Sequence, residues 1–133
     1  MNIKDQVLSI EQIRELQALG FDVKKYASVC WVTYTSDEPP YEKEYSLSIL
    51  DEFCYESASL EPTPTMSIGD IIDILPHHKF LFEKGYEDTN MYHLEHKFPS
   101  LEGIKILQHE SGSFLRLLFD NLKWCIINKH IEL

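Results

Sequence analysis

The stretch "MYHLEHKF" (91–98) places two histidines and a glutamate, His93, Glu95 and His96, within four positions, and "LPHHKF" adds His77 and His78 upstream. Imidazole and carboxylate are the groups that hold Zn²⁺ or move protons near neutral pH. His93 and His96 are three apart, so a helix would turn them to one face. The stretch reads instead as a strand, with Tyr92, Leu94 and Phe98 in alternation before Pro99. Alternation sends neighbours to opposite sides of a sheet. His96 then joins the apolar row and is expected to be partly buried. His93 joins Met91, Glu95 and Lys97 in a row expected to face solvent. That splits the pair.

His77 and His78 follow Pro76, which ends a helical pattern, and the negative end of a helix accounts for an imidazole there. The arrangement H-E-x-x-H, a base between two ligands on one helix, is absent. No metal is assigned. His77, His78, His93 and His96 are the residues that a metal or a histidine-dependent hydrolase would have to use.

A reactive thiol needs an electropositive, partly exposed setting. Cys30 lies in an apolar strand pattern, Cys125 between Trp124 and Ile126, and Cys54 among Asp51, Glu52 and Glu56, which oppose thiolate formation. All three read as structural, reduced thiols of a cytoplasmic protein. There is no G-x-S-x-G, no phosphate-cradling glycine loop and no dinucleotide fingerprint. No catalytic residue and no cofactor is therefore assigned.

The remaining feature is charge. The chain carries 12 Lys+Arg against 22 Asp+Glu, a formal net charge of −10. Between Ser36 and Glu61 eight acids face a single base, Lys43, and tyrosines are interleaved with them. Nucleic-acid binding runs on cationic neutralisation of phosphate, and the scattered bases here exclude it; an anionic membrane is excluded alike. Acid with tyrosine fits docking of a basic protein, or imitation of DNA's charge toward an enzyme that binds DNA. The competing reading is a hairpin whose tyrosines pack inward. The candidate partner-binding residues are Asp37, Glu38, Tyr41, Glu42, Glu44, Asp51, Glu52 and Tyr55.

The elements that must position these groups follow from capping and periodicity. In "SIEQIRELQALG" Ser9 and Gln12 form a capping box, Ile10, Ile13, Leu16 and Leu19 share a face, and Gly20 ends the helix. "SIGDIIDILP" repeats the grammar with Ser67, Asp70 and a stop at Pro76. A third, long helix starts near Ser113, with Phe114, Leu115, Leu118, Leu122, Cys125 and Ile126 as its stripe. Strands are predicted over 27–35 (central or covered) and 45–50, in two runs joined around Asp88–Asn90, and over 103–110. Residues 51–61 are ambiguous, and Pro62 and Pro64 mark an irregular connection. The order predicts an α+β fold: an antiparallel or mixed sheet of about four to five strands, with three helices mainly on one side.

A chain of 133 residues, 44% hydrophobic with 5 Gly and 6 Pro, is expected to form one globular domain over 1–133. "MNIKDQVLSI" lacks the apolar core of a secretory signal, and no run approaches a membrane span, so a cytoplasmic location is expected.

"LSIEQIRELQALGFDV…VCWV", "PTMSIGDIIDILP" and "LKWCIINKHI" together resemble a group of small, uncharacterised single-domain proteins from bacterial genomes and their prophages. The resemblance implies an α+β domain and a mobile-element origin, and it supplies no catalytic residues. The expected function is a non-enzymatic accessory or protein-interaction domain binding a basic partner through 37–61. The alternative is a small histidine-dependent hydrolase or metal-binding enzyme.

Overall fold

Two serine caps set the frame. The computed structural model describes residues 3–35, 38–40, 43–49, 61–76, 79–85 and 91–132. Helix α1 (Ile10–Ala18) starts where the Ser9 hydroxyl accepts from the Gln12 N–H while the Gln12 side chain accepts from the Ser9 N–H, the expected capping box. It ends in a Schellman turn: the Gly20 and Phe21 N–H groups reach the Gln17 and Leu16 carbonyls at 2.9 and 3.1 Å, with Gly20 at φ 85°. Helix α2 (Val23–Tyr26) is a single turn that periodicity does not detect. Helix α3 (Ile68–Ile74) has the predicted cap: the Ser67 hydroxyl accepts from the Asp70 N–H and the Asp70 carboxylate from the Ser67 N–H.

The chain divides into two compact units, Met1–Asp70 with Leu133, and Ile71–Glu132, the division falling inside α3. In the first, strands β1 (Val29–Thr35), β2 (Lys43–Ile49) and β3 (Glu61–Thr65) form an antiparallel sheet in the order β2-β1-β3. β1 is central, as its two apolar faces predicted. Leu8 ties the N-terminal segment to this sheet, its carbonyl accepting from Trp31 Nε1 (2.8 Å) and Thr65 Oγ1 (2.7 Å). Leu8, Ile13, Leu16, Phe21, Val23, Cys30, Val32 and Met66 are buried in this unit.

In the second unit β4 (Lys79–Lys84), β5 (Tyr92–Ser100) and β6 (Gly103–Ser111) form another antiparallel sheet in that order. Helix α4 (Phe114–Ile127) packs against β5 and β6. The Ser113 hydroxyl caps it by accepting from the Arg116 N–H. It buries Leu117, Leu118, Phe119, Asn121, Leu122, Cys125 and Ile126. Its far end is a second Schellman turn, with the Lys129 and His130 N–H groups on the Ile126 and Cys125 carbonyls at 3.2 and 2.8 Å. Here the left-handed position, φ 59°, is held by Lys129.

The fold is α+β with antiparallel pairing, as expected. It differs in having two three-stranded sheets and four α-helices among the described residues, where one sheet of four to five strands and three helices were predicted. β3 explains most of the difference. Pro62 and Pro64 do not mark an irregular connection but lie within a strand, paired with Val32 and Cys30. Two residues apart, they share one side of the ladder, so both missing N–H groups fall on the edge away from β1. Along Pro62–Pro64 that edge lacks the donors a further strand needs; just beyond them Val7 bridges Ser67, and the Leu8 N–H reaches the Met66 carbonyl at 3.0 Å.

Candidate histidine site and acidic surface

β5 pairs with both neighbours in unbroken register: Glu83 and Glu110 lie opposite His93, and Phe80 and Leu107 opposite His96. No bulge intervenes, so the two histidines leave opposite faces of the sheet, as alternation predicted. Their burial differs from expectation. His93 was placed in a solvent-facing row, yet only 1% of its surface is exposed; His96, expected to be partly buried, is at 0%. The physical reason is position across the sheet. Alternation fixes which side a residue takes, but β5 is the middle strand, and its side chains are walled by neighbours on both flanks.

His93 is held between carboxylates. Its Nε2 lies 3.1 Å from Glu95 Oε1, which also accepts from Gln108 Nε2 at 3.1 Å. Its Nδ1 is 3.7 Å from Glu110 Oε1. A carboxylate accepts and does not donate, so Nε2 carries the proton.

On the other face His96 meets α4. The Asn121 amide NH₂ donates to His96 Nδ1 (3.3 Å), which makes Nδ1 the acceptor and leaves the ring proton on Nε2. The Cys125 thiol lies 4.0 Å from Asn121 Oδ1, as donor. His109, opposite Leu94 on the same face, is pushed below its usual value by burial, with the Asp120 carboxylate pulling the other way. Its Nε2 is buried and finds no hydrogen-bond partner among the described residues. Beyond His96 the packing is aromatic. The His96 and Phe98 ring centroids are 4.3 Å apart; Phe98 also meets Trp124 at 5.1 Å and His130 at 4.4 Å.

Cysteine, histidine and asparagine are the residue types of a thiol nucleophile site, but their order here defeats that chemistry. Asn121 stands between the thiol and the ring, so His96 cannot take the thiol proton. Burial also pushes the Cys125 thiol up to about 12, and His96, Asn121 and Cys125 are all fully buried. Catalysis requires a nucleophile and base in direct reach and a place for substrate. His93 likewise lacks an approach. Among the described residues no group of three His, Cys, Asp or Glu side chains could hold a metal ion.

His77, His78, Asp37, Tyr41, Glu42, Asp51, Glu52, Cys54 and Tyr55 lie outside the described residues. Glu38 is exposed and precedes the exposed Pro39 and Pro40. Glu44 sits in β2 at the register position of Tyr34. Cys30 is buried and unoxidised. The residues that sequence reasoning missed are Asn121, Gln108 and Glu110. Only strand register and helix docking bring them to the histidines, and no local pattern announces them.

No helix among the described residues is long and apolar enough to cross a membrane. Comparison of the chain with protein-family models, with curated proteins and with solved structures finds no match.

Proposed function

We propose that this chain is a non-enzymatic accessory or interaction domain that binds a basic protein partner through the acidic, tyrosine-rich region 37–61. The observation that carries the reading is the place of β2. This strand is the centre of that region, and it stands at the outer end of the order β2-β1-β3, with β1 its single described neighbour. An edge strand offers unpaired backbone groups to an incoming chain. Glu38 and Ile49 at its two approaches are exposed. A net charge of −10 would steer a cationic partner toward it. An inhibitor or immunity role against a basic enzyme is one concrete form, in the cytoplasm and without a nucleic-acid or membrane partner.

The test is co-purification from the native host across a salt series. The expected result is a basic partner whose retention falls with salt and is lost when Glu42, Glu44, Asp51 and Glu52 are neutralised together. Retention unchanged by that quadruple variant would overturn the reading. A prophage locus or a neighbouring toxin gene would identify which partner to try first.

A further inference from the structure

The two edges of the first sheet are unlike. On the outer side of β3 the N–H groups are missing at Pro62 and Pro64, and the Leu8 N–H then takes the Met66 carbonyl at 3.0 Å. The other edge is β2, seven residues paired with β1 in unbroken register. It has neither the prolines nor the bulge that blunt an edge, and one lysine, Lys43, at its first position.

The same ladder tells which backbone groups β2 offers. In antiparallel pairing a residue turns its N–H and C=O to one neighbour, and the next residue turns its own to the other. Pro62 and Pro64 face away from β1, and Met66, two positions on, does the same in bonding Leu8. Val32 and Cys30, opposite the prolines, therefore turn their backbone groups to β2, where they meet Ser46 and Ser48. Leu47, between those serines, and Tyr45, before them, turn theirs outward; among the described residues no strand takes them.

We infer that the occupant of this edge is a cationic extended segment, added antiparallel to β2 and hydrogen-bonded to the backbone of Tyr45 and Leu47. The inference rests on the assignment of 37–61 as the partner surface and gives that surface its mode of binding. Antiparallel pairing is the kind this sheet already uses. Charge selects both the edge and the occupant. Residues 41–52, which contain β2, hold four acids, Glu42, Glu44, Asp51 and Glu52, against Lys43 alone. The outer strands of the second sheet lack that excess: β4 has Lys79 and Lys84 against Glu83, and β6 has Lys105 against Glu110. A second copy would bring a net charge of −10 and the same acids to the edge, whereas a strand bearing Lys or Arg brings the opposite sign.

The experiment uses the ¹⁵N-labelled full chain, read by amide hydrogen exchange, and three synthetic peptides of equal length. One alternates lysine and valine, and one alternates glutamate and valine. The third is the lysine–valine peptide with every backbone nitrogen methylated, which keeps charge and side chains but has no N–H to give. The expected result is that the lysine–valine peptide alone binds, more weakly as salt rises. It should slow exchange at Tyr45 and Leu47 by about tenfold and leave Ser46 and Ser48 as they were. Leu47→Pro repeats at β2 what the prolines do at β3, removing an outward N–H and sparing the ladder to β1; it should weaken the peptide by about tenfold. Where that variant loses its melting transition, the exchange pattern and the methylated peptide decide on the unaltered chain. The inference is overturned if the methylated peptide binds as well as its parent, or if the slowing falls in β4 or β6. It is overturned equally if Tyr45 and Leu47 gain protection in the chain alone as its concentration rises, which gives the edge to a second copy. Neutralising Glu42, Glu44, Asp51 and Glu52 together separates the two readings. A native partner lost in that variant, with no slowing at Tyr45 and Leu47 by the peptide, sinks the added strand alone; a native partner retained sinks the surface assignment beneath it.

Discussion

The two faces of the second sheet carry histidines from the same strand and use them in different ways. On the covered face His96 packs under α4, bonded to Asn121 and stacked on Phe98. On the opposite face His93 is just as buried, with the Glu95 and Glu110 carboxylates 3.1 and 3.7 Å from its ring nitrogens. The first histidine sits under a helix; the second sits among acids. Burial of a histidine is thus not by itself a sign of either stability or function, and the partners decide.

Substitutions can break that comparison, the largest effects falling on the covered face. Leu122→Ala removes a fully buried side chain from α4 and should cost about 3 kcal/mol, measured by urea unfolding. Asn121→Ala takes away the donor to His96 Nδ1 and the acceptor for the Cys125 thiol in a dry setting. About 2 kcal/mol is expected, and the same variant should speed alkylation of Cys125, which is otherwise slow because its thiol stays protonated.

Acid should act on the same face. His109 in the folded chain lies below its ordinary 6.5, so as pH falls through that value the unfolded chain takes up the proton first. Stability should hold above 6.5 and decline below it until the folded form protonates too; His109→Gln should flatten that part of the curve.

At the end of α4, Lys129→Gly should add about 0.5–1 kcal/mol, because glycine takes the left-handed position at no steric cost. A loss there would show that the Lys129 side chain is itself a stabilising contact. Least is expected on the His93 face, where Ile106→Ser should change the unfolding free energy by under about 0.5 kcal/mol. A large loss at Ile106 would mean that this face is part of the core, and the contrast between the faces would fall.

Helix starts were the most legible feature of the sequence, because a cap is a local chemical fact. Ser9 with Gln12, Ser67 with Asp70, and Ser113 each do what their spacing implies. Strand period was legible too, and it correctly parted His93 from His96. Lateral position in a sheet was not. Alternation could not reveal that β5 lies between β4 and β6, so the burial of His93 was missed. Pro62 and Pro64 misled for a related reason: a rule about proline in strands says "edge or not at all", and only the pairing partner tells which. The Asn121–His96 contact spans 25 positions and depends on how α4 lies on the sheet.

The prolines of β3 have a consequence for assembly. In polymer terms they act as a chain terminator along that part of the first sheet: two alternate donors on the outer side of β3 are missing, so the row of N–H groups that would template a further strand is broken there.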